Sequence, residues 1–135
     1  MALKLSTAAR NARLDAIETA VGESAILKIR TGSPPDSISD PDSGDVLASL
    51  NLPANWMSAA ANGSKSRSGI WQDAAADATG TAGHFRVYAN DGSTPHLQGT
   101  ITVSEGGGDM TLDSVSVEAG NPLTITGFVL TDGNA

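Results

Sequence analysis

The stretch SDPDSGD, residues 39–45, places three carboxylates close together, at Asp40, Asp42 and Asp45. Calcium prefers oxygen ligands, and loops of the D-x-D-x-D-G type supply them at alternate positions. The Asp40–Asp42 spacing fits that pattern, but Gly44 occupies the next ligand position and the twelfth position is not acidic. We therefore expect a solvated turn between two strands, with a calcium site formed by the three carboxylates as the alternative.

The histidines, serines and glycines do not form a known catalytic or phosphate-binding motif. His84 and His96 each begin a predicted strand, and adjacent strands could bring them together, but no H-x-x-x-H or H-E-x-x-H spacing links them. No G-x-S-x-G motif occurs, and the glycine-rich stretch EGGGDM is not followed by Lys-Ser or Lys-Thr. We therefore predict a protein that is not an enzyme and uses no cofactor.

The composition narrows the classes of ligand that the chain is expected to bind. Its formal net charge is −7; the first 30 residues carry five basic and three acidic side chains, and the rest carry three and twelve. An acidic body repels nucleic acid, whereas a mildly basic N-terminal part suits an acidic partner. Few aromatic residues are available to line a pocket, which disfavours a small-molecule site.

The chain also lacks the sequence signals of disulfides and of membrane insertion. It has no cysteine, which excludes disulfides and thiolate metal sites. No apolar run approaches the ~20 residues that a membrane span requires. The N-terminus lacks the uninterrupted apolar core of a signal peptide. We therefore expect neither a membrane partner nor a secretory signal.

The segment STAARNARLDAIETAVG is predicted to form the one helix. Ser6 or Thr7 is placed to cap its N-terminus, and Gly22 is placed to end it. Leu14, Ile17 and Val21 recur at helical spacing and form a thin apolar stripe. So thin a stripe requires a partner surface, which could be the chain's own sheet or a neighbouring subunit.

The two tryptophans admit two interpretations. Exposed together, Trp56 and Trp71 could stack on a sugar. In a chain with few aromatic residues, they more often anchor a core or a subunit interface. We group them with residues of the N-terminal arm as candidate interface residues. The residues predicted to contact a partner are Leu5, Arg10, Arg13, Leu14, Ile17, Trp56 and Trp71.

After Gly22 the apolar residues alternate with a period of two, which is typical of strands. Within HFRVYA this alternation directs Phe85 and Val87 inward and leaves Arg86 and Tyr88 on the outward side. Turn signals recur every eight to twelve residues, roughly as in sandwiches and barrels. We predict a mainly β, single-domain antiparallel sandwich of about seven strands, jelly-roll or immunoglobulin-like. Residues 1–23 would form an N-terminal helical arm and residues 24–135 the sandwich domain.

Six segments, taken in order, give the chain a resemblance to a known family. They are MALKLSTAARNARLDAI, LKIRTGSPP, GDVLASLNLP, TGTAGHFRVYANDG, GTITVSEGGGDMTLDSVSV and AGNPLTITGFVLTDG. Their order resembles that of small virion proteins encoded among the head and tail genes of tailed bacteriophages and prophages. The similarity covers nearly the whole chain and rests on pattern and order, without a catalytic motif. It implies a structural component of a particle and supplies no active-site residues.

This resemblance implies a capsid decoration, or cement, protein that binds the outside of a shell as a symmetric oligomer. Its partners would be the major capsid protein or other virion proteins, and its location would be the virion, assembled in the host cytoplasm. A neck, tail or fibre-attachment protein is the alternative within the same class. A carbohydrate- or host-receptor-binding module is an alternative of another class. That module would require Trp56, Trp71 or Tyr88 to be exposed on one face.

Overall fold

The computed structural model describes residues 3–132, which form a mainly β fold with one N-terminal helix. This confirms the predicted class. The helix is α1 (Thr7–Val21). The strands are β1 (Ile26–Thr31), β2 (Val46–Asn51), β3 (Ser64–Ser66), β4 (Gln72–Asp73), β5 (Gly80–Tyr88), β6 (Pro95–Val103), β7 (Met110–Leu112), β8 (Ser116–Val117) and β9 (Leu123–Thr131).

Helix α1 begins and ends at the residues that the sequence indicated. The Ser6 hydroxyl accepts a hydrogen bond from the Ala9 backbone N–H at 3.1 Å, which satisfies one of the free donors of the first turn. At the other end, Gly22 has φ +90° and donates its backbone N–H to the Glu18 carbonyl at 2.9 Å. A side chain would be strained at that φ, so the glycine is what allows the chain to leave the helix here.

The strands are hydrogen-bonded in one mixed sheet, in the order β2-β1-β5-β6-β7-β9-β3, with β4 on β9 and β8 on β5. The fully antiparallel arrangement that we expected is wrong at one place, since β6 and β7 pair in parallel. A parallel return normally needs a crossover of a dozen or so residues. Here residues 104–109 suffice because the loop runs close along β6. A Cβ atom at Gly106 would lie 2.7 Å from Thr102, and one at Gly108 would lie 2.9 Å from the Thr102 backbone nitrogen.

The sheet curls around an aromatic core. Strands β5 and β9 are separated by β6 and β7, which in a flat sheet would place them roughly 14 Å apart. The ring centroids of Phe85 on β5 and Phe128 on β9 are nevertheless 5.5 Å apart, in an edge-to-face contact. Trp71 packs against Phe128 with ring centroids 5.5 Å apart, and Trp56 packs against Trp71 at 6.0 Å, both in tilted contacts. The inner face of the sheet therefore closes on itself around these rings.

Both outer edges of the sheet are covered by loop segments. Along β2, the Ser49 backbone N–H donates to the Asp73 carboxylate at 3.3 Å, and the Leu47 carbonyl accepts from the Asp77 backbone N–H at 2.8 Å. Along β3, the Ser66 carbonyl accepts from the Ser58 backbone N–H at 2.8 Å. Backbone groups that are already hydrogen-bonded at an edge are not available to pair with a strand of another chain.

Candidate functional site

A long connection, residues 33–45, joins β1 to β2 and lies across the face of the sheet opposite to the aromatic core. We call it the strap. Beneath it, β1 contributes Arg30, and β5 contributes His84, Arg86 and Tyr88. These four side chains are all buried. The strap contains the aspartate-rich stretch, so the structure sets the acidic loop directly against cationic side chains.

Arg86 is the centre of this layer. Its side chain is only 1% exposed. It donates to the Gln98 side chain from Nε at 3.0 Å, to the Asp40 carbonyl and the Asp42 carboxylate from Nη1 at 3.0 and 2.9 Å, and to the Ser37 carbonyl from Nη2 at 3.2 Å. Arg86 and Tyr88 point away from the aromatic core, as the alternation predicted, but the strap covers this face and buries both side chains.

Asp42 fastens the strap to both strands. Its carboxylate accepts from Arg30 Nη2 at 3.0 Å, from Arg86 Nη1 at 2.9 Å and from the Tyr88 hydroxyl at 2.6 Å. Partial burial would by itself raise the pKa of Asp42, but the hydrogen bond from Tyr88 and the charges of Arg30 and Arg86 outweigh it. The pKa of Asp42 therefore lies below its usual value.

The aspartate-rich stretch is exposed to solvent between two strands, as we expected, but it is anchored to the sheet and is not arranged as a calcium loop. Asp42 is held by two arginines, while Asp40 caps the strap itself by accepting from the Ser37 backbone N–H at 3.0 Å. Asp45 is attached through its backbone, whose N–H donates to the Thr31 hydroxyl at 2.9 Å. Within residues 3–132, no group of three histidine, cysteine, aspartate or glutamate side chains converges as a metal ion would require.

His84 lies fully buried next to this ion-pair layer. Its Nδ1 is 2.9 Å from the Gly32 carbonyl, so the neutral ring carries its proton there. The ring's Nε2 has no hydrogen-bond partner among the described residues. Burial lowers the pKa of His84, and the charges of Arg30 and Arg86 lower it further. Because Nε2 has no hydroxyl or thiol within hydrogen-bond distance among the described residues, His84 is not placed as a base for a nucleophile.

The two histidines do not form a shared site. His84 pairs across the sheet with Thr100 on β6. His96 lies four positions before Thr100, which corresponds to roughly 13 Å along the strand. The two-histidine site that adjacent strands could have formed is therefore not formed.

A second cluster of polar contacts fastens α1 to the sheet. Lys65 on β3 is buried, and its Nζ lies 2.6 Å from an Asp15 carboxylate oxygen. The hydrogen bond from Lys65 lowers the pKa of Asp15, and one from the Ala60 backbone N–H lowers it further. Arg10 Nε donates to the Asp132 carbonyl at 2.9 Å, which ties the helix to the end of β9 as well.

The predicted partner residues are mostly engaged within the chain. Arg10 and Arg13 both bind Asp132, with Arg13 Nε 3.1 Å from its carboxylate. Leu14 is buried, and Leu5 and Ile17 are partly buried. The helix therefore docks on the chain's own sheet, which was one of the two possibilities left open by its apolar stripe.

Trp56 and Trp71 both lie in the chain's own core. Trp56 Nε1 donates to the Gly22 carbonyl at 3.1 Å, and Trp71 Nε1 donates to the Ser68 carbonyl at 3.2 Å. Tyr88 is equally buried, beneath the strap. The exposed aromatic platform that a carbohydrate-binding module requires is therefore not formed by these three residues.

Among the described residues, two surface clefts lie away from both the strap and helix α1. One, of about 490 Å³, lies around β8 and the start of β9, and its charged lining residues are Asp113 and Glu118. The other, of about 270 Å³, lies between β6 and β9, with Asp109 as its charged lining residue. Neither has a basic side chain in its lining. Helix α1, the helix within residues 3–132, has neither the length nor the apolar character needed to cross a membrane.

Sequence reasoning missed the buried cations beneath the strap. The alternation in HFRVY gave Arg86 an outward direction, which is correct, but it could not show that another segment would cover that direction. The available signal was charge. Arg30 and Arg86 lie on the same side of neighbouring strands, and the connection between β1 and β2 is rich in aspartate. Two arginines on one face of the sheet and an aspartate-rich connection nearby favour ion pairs between the sheet and that connection.

The chain matches no protein-family model, no curated protein and no solved structure.

Proposed function

We propose that this chain is a non-enzymatic structural protein of a tailed-phage virion, and most specifically a capsid decoration protein. It would bind the outer surface of the head through contacts with the major capsid protein or other virion proteins, as a homo-oligomer, after assembly in the host cytoplasm. The proposal starts from the resemblance in the order of its segments. The curled sheet, which layers β5 against β9, would serve as the sandwich-like body that such a protein presents.

The observation that carries the proposal is the use of the buried charged side chains. Arg30 and Arg86 hold the strap, and Lys65 holds the helix. Each of these cationic groups is paired with a carboxylate of the chain itself. Their effect is to make an irregular loop and a weakly amphipathic helix rigid. A rigid surface loses little conformational entropy on binding, which suits repeated contacts on a shell.

The acidic surface and the covered sheet edges support the same role. The chain carries a formal charge of −7, which keeps many copies soluble before assembly and disfavours contact with packaged DNA. Covered edges prevent the strand-to-strand aggregation that a high local concentration on a particle would otherwise promote. Both properties are useful to a protein that is displayed in many copies.

The test is the copy number of the chain on purified particles, measured by quantitative mass spectrometry, together with its position in particle images. A decoration protein is expected in hundreds of copies distributed over the head. About six to twelve copies at the tail axis would instead indicate the neck or tail alternative. Absence from the particle would overturn the proposal.

A second experiment separates cementing from mere attachment. Particles lacking the chain are heated beside particles to which purified chain has been added back, and DNA release is followed with a dye. We expect the decorated particles to release DNA at a higher temperature. Equal release temperatures at full occupancy would contradict a cementing role.

A further inference from the structure

Strand β7 is too short to fill the space between its two neighbours. It pairs with β6 at Ile101–Val103 and with β9 as far as Phe128. Both neighbours extend past Met110, the first residue of β7. Strand β6 begins further back, at Pro95, and β9 continues on to Thr131. Within residues 3–132, no strand lies between these two extensions. The cleft of about 270 Å³ described above occupies this place, and we call it the slot.

The slot has the properties of a position for one additional strand. Because β6 and β9 both pair with β7, they are two strand spacings, about 10 Å, apart where β7 begins. The lining is apolar on the core side, where it includes Phe85, Leu97, Phe128 and Leu130. Val129, at its rim, is 51% exposed. An extended peptide lying in line with β7 would cover this apolar surface.

Main-chain groups of β6 are directed into the slot. The Thr100 backbone N–H points away from β5, since it donates to the Asp109 carboxylate at 2.9 Å. Alternate residues of a strand point the same way, so the backbone N–H and carbonyl of Gln98 also face the slot. Asp109 caps the donor nearest β7, and the positions beyond it are open to a peptide backbone. This is the arrangement that β-strand addition uses.

The chain itself contains a segment with the properties of the missing strand. Leu3, Lys4 and Leu5 precede the helix cap, and Ser6 already has the extended angles φ −66° and ψ 158°. Leu3 is 67% exposed, so the chain's own arm does not occupy its slot. In an inserted strand Leu3 would face the core, and Lys4 would face the outer side, where the Asp109 carboxylate lies. The charges of the slot and of the arm are therefore complementary.

The exposure of Leu3 favours a second copy as the source of the strand, since the arm lies near the slot of its own chain without entering it. Arg10, in the first turn of α1, binds the carbonyl of Asp132, one residue after β9 ends. The arm thus leaves the molecule beside the strand that borders the slot. We propose that the Leu3–Leu5 arm of one copy adds as a strand to the β6–β9 slot of a second copy. A two-fold related pair would exchange both arms.

This inference deepens one part of the proposed function, the association of copies with each other, and rests on it in that respect alone. It is tested on the purified full chain with no capsid present. If the copies do not associate, the copy number on particles can still support the proposed function. If the chain is absent from particles, the contact between copies can still be observed in solution.

The chain has no cysteine, so introduced cysteines report a single contact. Leu3→Cys protein is mixed with Val129→Cys protein and oxidised, and the heterodimer is identified by mass. The matched control replaces Leu3→Cys with Ile70→Cys, because Ile70 is an apolar residue with a similar exposure of 73%. We expect the Leu3–Val129 heterodimer to exceed the Ile70–Val129 heterodimer by about tenfold or more. Equal yields would overturn the proposal.

A chain that carries both Leu3→Cys and Val129→Cys separates exchange from self-closure. Disulfides between copies support the exchange, whereas a disulfide closed within one chain overturns it. Sedimentation provides a measure that needs no disulfide. Leu3→Asp is expected to weaken association about tenfold or more, since it removes a leucine that the exchange would bury and brings a second carboxylate to Asp109. Ile70→Asp should leave association unchanged. A wild-type chain that is monomeric at every accessible concentration would also overturn the proposal.

Discussion

Asp42 is the residue on which the strap depends most. Its carboxylate binds two arginines and a tyrosine on two strands, and replacing it with alanine leaves Arg86 buried without its counter-charge. Asp42 is itself 39% exposed, which reduces the penalty below that of a fully buried pair. We expect Asp42→Ala to lower the free energy of unfolding by about 2 kcal/mol.

Chemical denaturation of Asp42→Ala beside Asp36→Ala measures this effect. Asp36 is an exposed residue of the same strap, so it controls for the loss of one negative charge and for the change in loop composition. We expect Asp36→Ala to stay close to the parent chain. Equal effects of the two substitutions would contradict the role assigned to Asp42.

His84 should make the protein sensitive to mild acid. Its pKa is lowered in the folded protein, so at pH values below the ordinary histidine pKa of about 6.5 the unfolded chain binds a proton that the folded chain does not. Stability therefore falls as pH decreases from about 6.5 towards the lowered pKa, by up to about 1.4 kcal/mol per pH unit. Asp42, whose pKa is also lowered, adds a further loss only at more acidic pH, below its unfolded pKa.

Denaturation at a series of pH values between 5 and 7 tests this prediction. His84→Gln should flatten the dependence in that range, because glutamine takes up no proton. His96→Gln is the matched control, since His96 is exposed on β6, and it should keep the dependence of the parent chain. If the free energy of unfolding of His84→Gln still falls with decreasing pH as in the parent chain, another group causes the acid sensitivity.

At the scale of elements, α1 is held to the sheet by polar contacts as well as by its buried Leu14 and Val21. Asp15 accepts both from Lys65 Nζ and from the Ala60 backbone N–H. We expect Asp15→Ala to loosen the helix without unfolding the sheet, which would appear as faster hydrogen exchange in α1 and unchanged exchange in β5. Asp15→Asn keeps an acceptor and loses the charge, so its effect should be smaller. Uniform acceleration in both elements would contradict local release.

The parallel return from β6 to β7 depends on glycine at defined places. A methyl group at Gly108 would meet the backbone of Thr102, whereas Glu105 in the same loop has φ +69° and would be relieved by glycine. We expect Gly108→Ala to destabilise the protein by about 2 kcal/mol and Glu105→Gly to be neutral or slightly stabilising. Thermal unfolding of the two variants measures the contrast. Similar melting temperatures would show that the loop can move away from β6.

Particular residues show what the sequence could and could not predict at the scale of the whole molecule. The helix was predictable because Ser6 and Gly22 act locally, within a turn of the backbone. The long strands β1, β2, β5, β6 and β9 were predictable because apolar alternation is also local. The parallel pairing of β7 was not predictable, since it depends on how closely Gly106 and Gly108 pass Thr102 in space.

The candidate sites followed the same division. That Arg86 faces away from the core was predictable from alternation, but that the strap covers it depends on contacts between residues more than forty positions apart. The tryptophans of the core were open to two interpretations, because a sequence does not show which large apolar side chains face inward. Features set by neighbouring residues could therefore be predicted from the sequence, whereas contacts between residues far apart along the chain could not.

The hydrogen bond between Arg10 and Asp132 joins residues 122 positions apart. This separation affects the order in which the helix and the sheet can fold. At about 5–20 residues per second, a ribosome needs on the order of ten seconds to synthesise the docking site after it has made the helix. A 15-residue helix is only marginally stable alone, so α1 waits in the nascent chain as a largely unstructured segment. In refolding followed by pulsed hydrogen exchange, α1 should gain protection no earlier than β9, and earlier protection in α1 would contradict this order. The helix is synthesised before the sheet on which it docks and is thus among the last elements to fold.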